Sequence, residues 1–471
     1  MTPLLILFST FSTVATFAID GMELKLVQVV WRHGDRSPTL TYKTDPIQED
    51  DWTFGGGGWG QLSPIGMKQH FEFGKQLRKH YVDSGFLSKT YDSKEIYVRS
   101  SDYNRTIISA MANLVGMYSY NNSASIKDTD YPDVEGWPQG FIPIAVHTVD
   151  RKSDHVLIAH ADCNRMYWLA EMLKNECDEV KNFISRPDVQ EVFKKASEKA
   201  GGVYNERTLW EIHDAWKIER VHFPERLKEC DWYSEELYDK MGEINNKLIN
   251  FDNGVYEHGP VIINGLDMGV EIQKIRGGSL ANDINMHMYL KYDCMNRQHE
   301  PKCRWIKNLK YYVYSAHDTT VFAFLSAMGI QSKVVFRGGY PDYTSAVFVE
   351  LYTDINNNPY FKMLYRESDV NDTIHSVTHF IPECEGKDYC RLDVFNKYAK
   401  RAKPDRDMVE AIDLLSNLMF KWCEVDPRGN MGRSTSITAH ISEGSAESSA
   451  SNMVSNLTLA FTLVMYLCSH S

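Results

Sequence analysis

Short apolar segments, polar turns and longer amphipathic segments alternate along the first third of the chain. The first apolar segment, 24–30, is rich in β-branched residues, which predicts a buried strand. The polar stretch WRHGDRSP, 31–38, ends it. Apolar residues three and four apart then predict a helix over 64–85. This succession of strand, turn and helix is typical of an α/β sheet.

The same succession returns in two later parts of the chain. Residues 95–102 predict a second strand that runs into a polar turn, and residues 105–119 predict the helix behind it. Residues 311–318 predict a third strand followed by a helix, and residues 345–354 predict a further strand. The pattern therefore indicates an α/β fold.

The segment between these parts differs in its charge content and in the spacing of its apolar residues. From Cys163 to about Asn250 the chain is highly charged, its apolar residues lie three and four apart, and strand signals are nearly absent. This pattern predicts an inserted α-helical lobe. The predicted organisation is an α/β domain in two parts, 19–162 and 261–425, with the helical lobe over 163–260 between them.

Both ends of the chain resemble processing signals. Residues 1–18 are apolar and uncharged, which predicts a secretory signal peptide, with a buried amino-terminal strand as the alternative. Residues 426–452 are small and polar, typical of a flexible stalk. The apolar tail 453–468 predicts either a signal for a GPI-type anchor or a transmembrane helix. We therefore expect a membrane-anchored protein of the secretory pathway, facing the cell exterior or a lumen.

Charge, cysteines and sequons bear on partners and compartment. The net charge of -12 argues against nucleic acid as a partner. The nine cysteines are consistent with export and disulfide bonding, and no C-x-x-C pair indicates zinc. Asn121 and Asn371 are predicted glycosylation sites, and Asn104 and Asn456 also head sequons.

Charged side chains stand where the predicted strands end. In open α/β sheets, ligands bind beyond the carboxyl ends of the strands, so these groups are expected to converge on one pocket. From the three strands in turn, they are Arg32, His33 and Arg36; Arg99; and His317 and Asp318. Guanidinium groups match phosphate oxygens in pairs, so the set predicts a site for a phosphate dianion.

The same set suggests a mechanism for phosphoryl transfer without metal or cofactor. The sequence has no P-loop, and its carboxylates are too few for a two-metal phosphatase. The arginines would neutralise charge, and surrounding cations would keep His33 neutral and nucleophilic. Asp318 would protonate the leaving group, which favours acidic conditions, and His317 would donate to the phosphate.

Each of these residues also has a plainer interpretation. An arginine at a strand end often forms a surface salt bridge, and Asp318 could simply cap the helix that begins near Thr319. Asp35 could be a turn former or could orient a neighbouring arginine through an ion pair. Gly34 would allow a close approach of the backbone.

Several segments resemble those of one enzyme family. RHGDRSP (32–38) and SAHDTT (315–320) resemble the two signatures of the histidine acid phosphatases. Further segments of residues 23–425 resemble the prostatic and lysosomal acid phosphatases of animals. The His-Asp pair of the second signature resembles these enzymes more than the inositol-polyphosphate phosphatases, which tend to carry His-Ala-Glu.

This resemblance implies a phosphoglycerate-mutase-like three-layer α/β sandwich with a helical lobe beside the site, and a homodimer. It makes His33 the nucleophile and Asp318 the proton donor. It also makes Arg32, Arg36, Arg99 and His317 the ligands of the substrate phosphate, and all six residues are present.

The resemblance also implies a disulfide pattern. Cys163–Cys423 and Cys384–Cys390 match family pairs. The usual partner of Cys230 would fall near Ala346. By elimination the remaining pairs are Cys177–Cys230 and Cys294–Cys303.

Taken together, the sequence predicts a tethered acid phosphatase that acts on phosphate monoesters. Within the enzymes, the alternative is a specialist such as a phytase or a lysophosphatidate phosphatase. A different class of protein is a non-catalytic surface protein that retains the fold. The sequon at Asn104 lies close to Arg99, so we expect it to stay largely unmodified in the folded protein.

Overall fold

A mixed β-sheet lies at the centre of the computed structural model, which describes residues 18–19, 21–119, 123–161, 163–297, 299–335 and 339–405. The strands are β1 (Ala18–Ile19), β2 (Met22–Arg32), β3 (Ile96–Ser101), β4 (His147–Val149), β5 (Ile262–Ile263), β6 (Leu266–Asp267), β7 (Tyr311–Ala316), β8 (Ala346–Thr353), β9 (Pro359–Arg366), β10 (Ile374–Ser376) and β11 (Cys390–Arg391).

Helices flank the sheet and form the inserted lobe. They are α1 (Pro64–Leu77), α2 (Asn104–Leu114), α3 (Asn164–Glu176), α4 (Asp178–Ile184), α5 (Pro187–Ala200), α6 (Leu209–His222), α7 (Pro224–Leu227), α8 (Glu235–Asp252), α9 (Met268–Arg276), α10 (Gly278–Cys294), α11 (Asp318–Ala327), α12 (Gln331–Val334) and α13 (Leu392–Arg401). Helices α1 and α2 each continue into a π-helical turn, so both predicted helices behind the first two strands are confirmed.

The order of strands in the main sheet brings three strand ends together. The order is β10-β9-β8-β2-β7-β3-β4, in which β2, β7, β3 and β4 run parallel and β8 to β10 alternate in direction. In the register, Arg32 lies opposite Ala316, and Ser100 lies opposite Ser315. The carboxyl ends of β2, β7 and β3 are therefore level at one edge of the sheet.

Strand β2 is buried on both faces, which explains its nearly continuous apolar sequence. Val27, Val29 and Trp31 belong to the core that contains residues of α1 and α2. Leu26 and Val30 belong to the core that contains residues of α10 and α11. Because side chains alternate along a strand, the two cores lie on opposite faces of the sheet. This arrangement confirms the predicted three-layer α/β sandwich.

The helical lobe has an apolar core of its own. Leu169, Phe193, Trp216 and Met241 are buried in it, together with residues of α9 such as Ile272. The lobe core therefore continues past residue 260, where the sequence pattern places the boundary of the lobe, because α9 turns its apolar side chains into the lobe.

A buried carboxyl pair in this lobe leads to a prediction about stability and pH. Glu219 on α6 is fully buried near Asp45; burial first, and then the charge of Asp45, raise its pKa above the ordinary 4.5. The fold thus favours protonated Glu219. This contribution to stability is fully present below the pKa of Glu219 in the unfolded chain. It is lost as the pH rises towards the higher pKa of Glu219 in the folded protein. We expect the free energy of unfolding to fall by about 1–3 kcal/mol between about pH 5 and about pH 7.

The variant Glu219→Gln should flatten this pH dependence, because its amide does not titrate. Denaturant unfolding at a series of pH values measures the effect, and Glu236→Gln, an exposed position on α8, is the matched control. An equal slope in wild type and Glu219→Gln would refute the assignment.

The disulfides agree with the sequence prediction only in part. Cys294–Cys303 and Cys384–Cys390 are formed as predicted. The predicted Cys177–Cys230 pair is wrong, because both thiols are free and buried. They lie against different partners, since Cys177 ends α3 next to Tyr256, whereas the Cys230 sulfur accepts a hydrogen bond from the Tyr42 hydroxyl.

Some predictions fall outside the described residues. These are the Cys163–Cys423 pair, glycosylation at Asn121, the stalk 426–452, the tail 453–468 and nearly all of the leader 1–18. Within the described ranges, no helix has the length and apolar character needed to cross a membrane.

Candidate active site

A cavity of about 1030 Å³ opens at the edge of the sheet where β2, β7 and β3 end. Six charged or titratable residues of the sheet domain line it at this edge. They are Arg32 at the end of β2, His33 and Arg36 just after it, His317 and Asp318 after β7, and Arg105 at the start of α2. The cavity thus contains five of the six predicted site residues.

His33 is held in one tautomer by its own loop. Its Nδ1 lies 2.8 Å from the carbonyl oxygen of Gly34. Because a carbonyl oxygen only accepts, Nδ1 carries the proton and Nε2 keeps its lone pair. Burial first, and then Arg105, Arg32 and Arg36, lower the pKa of His33 well below 6.5, so the ring is neutral. A buried neutral imidazole with an unprotonated Nε2 is suited to nucleophilic attack.

Arg32 and Arg36 are each anchored through their terminal nitrogens. Arg32 donates to the Pro341 carbonyl at 2.6 Å and pairs with Asp318 at 2.8 Å. Arg36 forms a bidentate ion pair with Asp214 of α6, with N–O distances of 2.9 and 3.1 Å. Burial alone would raise the pKa of Asp214, but Arg36 holds it below its usual value. The guanidinium groups are therefore preorganised around the cavity.

His317 faces His33 across the cavity. The two ring centroids are 5.6 Å apart. The Ser101 hydroxyl lies 2.8 Å from His317 Nε2, and an Arg105 Nη2 lies 3.5 Å from Nδ1. Burial first, and then Arg105, lower the pKa of His317 well below its ordinary value. Two neutral histidines and several arginines therefore share one small volume, an arrangement suited to a dianion.

Comparison with known proteins places this site in a family. Residues 23–366 match the model of the histidine phosphatase superfamily, branch 2. The chain belongs to this superfamily. The matched segment contains Arg32, His33, Arg36, Arg105, His317 and Asp318.

Curated relatives of this histidine phosphatase extend over most of its length. Putative acid phosphatase 10 of Caenorhabditis elegans is 34% identical over 409 residues, which cover 84% of this chain and 96% of the relative. Mouse prostatic acid phosphatase is 31% identical and covers 77% of this chain and 84% of its own length. Human lysosomal acid phosphatase is 31% identical over a segment that covers 78% of this chain and 77% of the relative. These relatives agree with the resemblance recognised in the sequence.

Solved structures confirm the fold. The Hafnia alvei phytase bound to tartrate has a TM-score of 0.56 at 15% identity, covering 82% of this chain and 99% of its own. The Klebsiella phytase has a TM-score of 0.54 at 15% identity, and the superposition covers 84% of this chain and 99% of the phytase. At this identity the likeness concerns the architecture alone.

Arg99, a predicted phosphate ligand, does not line the cavity of this histidine phosphatase. Its Nη2 pairs with Asp154 at 2.6 Å, and the Tyr312 hydroxyl and the carboxylate of Asp283 on α10 are also near it. The reason is its place inside β3, two residues before the strand ends, where its side chain lies along the sheet rather than beyond it. The structure therefore does not bring Arg99 together with the other five predicted site residues.

Arg105, rather than Arg99, brings a guanidinium group from the region of β3 and α2 into the cavity. It stands in the first turn of α2, and its guanidinium carbon lies 4.5 Å from the centre of the Tyr103 ring. Burial and then Arg36 lower its pKa to about 10, so it stays cationic near neutral pH. The sequence held a usable signal, because the first turn of a helix that follows a parallel strand lies at the strand's carboxyl end.

Two other residues of the first signature are placed by tertiary contacts. A Cβ on Gly34 would lie 2.5 Å from the Gly66 carbonyl oxygen, which confirms the predicted close approach of the backbone. Asp35 does not pair with an arginine, contrary to the sequence interpretation. Its carboxylate accepts from the Ser63 hydroxyl and lies 2.6 Å from Nε2 of His222, which ties the loop to α1 and to the lobe.

The lobe forms the opposite wall of the cavity, and this wall is rich in acidic side chains. Asp239, Glu243 and Asp252 of α8 are exposed to it. The residues of α6 that line it are Trp210, His213, Asp214 and Lys217. Among the described residues, no group of three or more His, Cys, Asp or Glu side chains could hold a metal ion.

Proposed function

We propose that this chain is an acid phosphatase that hydrolyses phosphate monoesters through a phosphohistidine intermediate on His33, with Asp318 as the proton donor. The observation that carries the proposal is the hydrogen bond of 2.8 Å from His33 Nδ1 to the Gly34 carbonyl, within a ring of arginines. It leaves Nε2 as a nucleophile beside a site for a dianion.

In the first step, Nε2 of His33 attacks phosphorus and the bond from phosphorus to the leaving oxygen breaks. Arg32, Arg36 and Arg105 stabilise the charge on the three equatorial oxygens. Asp318, which pairs with Arg32 at 2.8 Å and lines the same cavity, gives its proton to the leaving oxygen. The products are an alcohol and phosphorylated His33.

In the second step, a water molecule attacks the phosphorus of the phosphohistidine. The Asp318 carboxylate accepts a proton from that water, and the bond between Nε2 and phosphorus breaks. Inorganic phosphate leaves, Nε2 regains its lone pair, and Asp318 is again a carboxylic acid. Each turnover thus consumes one water and restores both catalytic residues.

Acidic conditions suit both groups at once. A carboxylic acid keeps its proton best at low pH. The lowered pKa of His33 keeps the imidazole neutral below the pH at which an ordinary histidine becomes protonated. The mechanism therefore predicts a rate that is highest at acidic pH and falls as pH rises.

The relatives support the same activity and compartment. They are named acid phosphatases, including prostatic and lysosomal enzymes. We extend to this chain a place in the secretory pathway or lysosome; the homodimer and the carboxyl-terminal anchor stay predictions. A phytase activity is less well supported, because these relatives are named acid phosphatases.

The test of the proposal is the variant Asp318→Asn, assayed on two substrates. With an alkyl phosphate, kcat should fall about 100-fold, because the leaving alkoxide needs a proton. With 4-nitrophenyl phosphate the loss should be much smaller, because nitrophenolate leaves without one. Steady-state assays from about pH 4 to about pH 8 measure both effects.

Asp342→Asn is the matched control, since Asp342 also lines the cavity but pairs with Lys217 at 3.1 Å. It should preserve the wild-type ratio between the two substrates. Equal losses on both substrates in Asp318→Asn would remove Asp318 from the role of proton donor. Absence of turnover in the wild type would refute the proposed function.

A further inference from the structure

A second cavity, of about 360 Å³, adjoins the active-site cavity on the side of α2. The two cavities share three residues, Thr39, Arg105 and His160. Trp59 and Arg151 also line the second cavity, but they do not line the active-site cavity. A substrate held in the phosphate site can therefore extend past Arg105 into this space.

The charge of the second cavity differs from that of the lobe wall. No carboxylate from the described residues lines it, whereas two guanidinium groups, Arg105 and Arg151, do. Neither forms an ion pair with a carboxylate in the part of the chain that the structure describes. Arg151 donates its Nε to the backbone carbonyl of Asp102, and an Arg105 Nη2 lies 3.5 Å from His317 Nδ1.

Tyr103 holds the two cations near each other. The guanidinium carbon of Arg151 lies 4.1 Å from the centre of the Tyr103 ring, and that of Arg105 lies 4.5 Å from the same centre. Stacking on an aromatic ring fixes the orientation of each guanidinium group and of its N–H donors. Two cations on one ring repel each other, and an anion in the adjoining space would relieve that repulsion.

We propose that the second cavity binds a second anionic group of the substrate, a carboxylate or a phosphate, and that Arg151 determines this preference. The inference rests on the proposed phosphatase function and specifies its substrates. Arg105 contacts the transferred phosphate and also borders the second cavity, so the two anions of one substrate would lie on either side of it. Asp239, Glu243 and Asp252 line the active-site cavity but not the second cavity, so among the described residues no acidic side chain lines the second cavity to oppose an anion there.

Matched substrates test the proposal. Glycerol 3-phosphate and 3-phosphoglycerate differ by a carboxylate, and the monophosphate and bisphosphate of propane-1,3-diol differ by a phosphate. For the wild type, we expect kcat/KM to be about 10-fold higher for the doubly anionic member of at least one pair, mainly through a lower KM. The pair that shows the preference identifies whether carboxylate or phosphate is recognised.

In Arg151→Gln, the ratio of kcat/KM within that pair should fall to about one, and Arg151→Lys should restore part of it. Lys152→Gln is the matched control, because Lys152 is the exposed neighbour and does not line the cavity. An unchanged ratio in Arg151→Gln, or equal kcat/KM values within both pairs in the wild type, would overturn the proposal. Failure of the wild type to hydrolyse any of the four substrates would instead overturn the phosphatase function itself.

Discussion

Replacing His33 with alanine is expected to abolish turnover, with kcat lowered by about 10⁴-fold or more. The variant removes the protein side chain that forms a bond to phosphorus in the proposed mechanism. The arginines around the site remain and still bind phosphate. The KM or the inhibition constant of inorganic phosphate should therefore change far less than kcat.

The intermediate gives an independent measurement. Rapid quenching of the wild type with a radiolabelled phosphate monoester should leave label on the protein, in a bond that is stable to alkali and labile to acid. His33→Ala should leave no label, and His80→Ala, an exposed histidine on the π-helical turn after α1, should behave as the wild type. Label that persists in His33→Ala would place the nucleophile elsewhere.

Replacing Arg105 with glutamine should lower kcat/KM about 1000-fold, whereas Arg99→Gln should change it by less than about 10-fold. Arg105 lines the cavity beside His317, and in the proposed mechanism its charge stabilises the transferred phosphoryl group. Arg99 instead pairs with Asp154, whose side chain is fully buried. Loss of that partner should lower the free energy of unfolding by about 3 kcal/mol.

The two arginine variants serve as controls for each other. Kinetic assays on 4-nitrophenyl phosphate measure the first effect, and denaturant unfolding measures the second. The expected pattern is a catalytic defect in Arg105→Gln and a stability defect in Arg99→Gln. The reverse pattern would restore Arg99 as the phosphate ligand and contradict the geometry described above.

The elements that build the site were predictable because their signals are local. Strand β2 is buried on both faces, so nearly every residue in its centre is apolar, and a polar stretch must follow where it leaves the core. Helix α1 begins at Pro64 after Ser63, whose hydroxyl accepts from the amide of Gly66. Such patterns depend on neighbours a few residues away, so a single sequence reveals them.

The two disulfides that form as predicted join cysteines that are close in sequence. The disulfides Cys384–Cys390 and Cys294–Cys303 span 6 and 9 residues and form as expected. The Cys177–Cys230 pair followed from elimination alone and is absent. Elimination assumes that every cysteine is paired, and the lobe core instead buries these two as free thiols.

The sequence by itself determined strands β2, β3, β7 and β8, the helices that follow the first three, and the placement of His33, Arg32 and Arg36 where β2 ends. Only the tertiary structure decided that Arg105 rather than Arg99 lines the cavity, that Asp214 pairs with Arg36, and that Asp35 contacts His222 rather than an arginine. The direction of a side chain depends on sheet register and on which helix covers it. Those contacts join residues distant in sequence, so no local pattern encodes them.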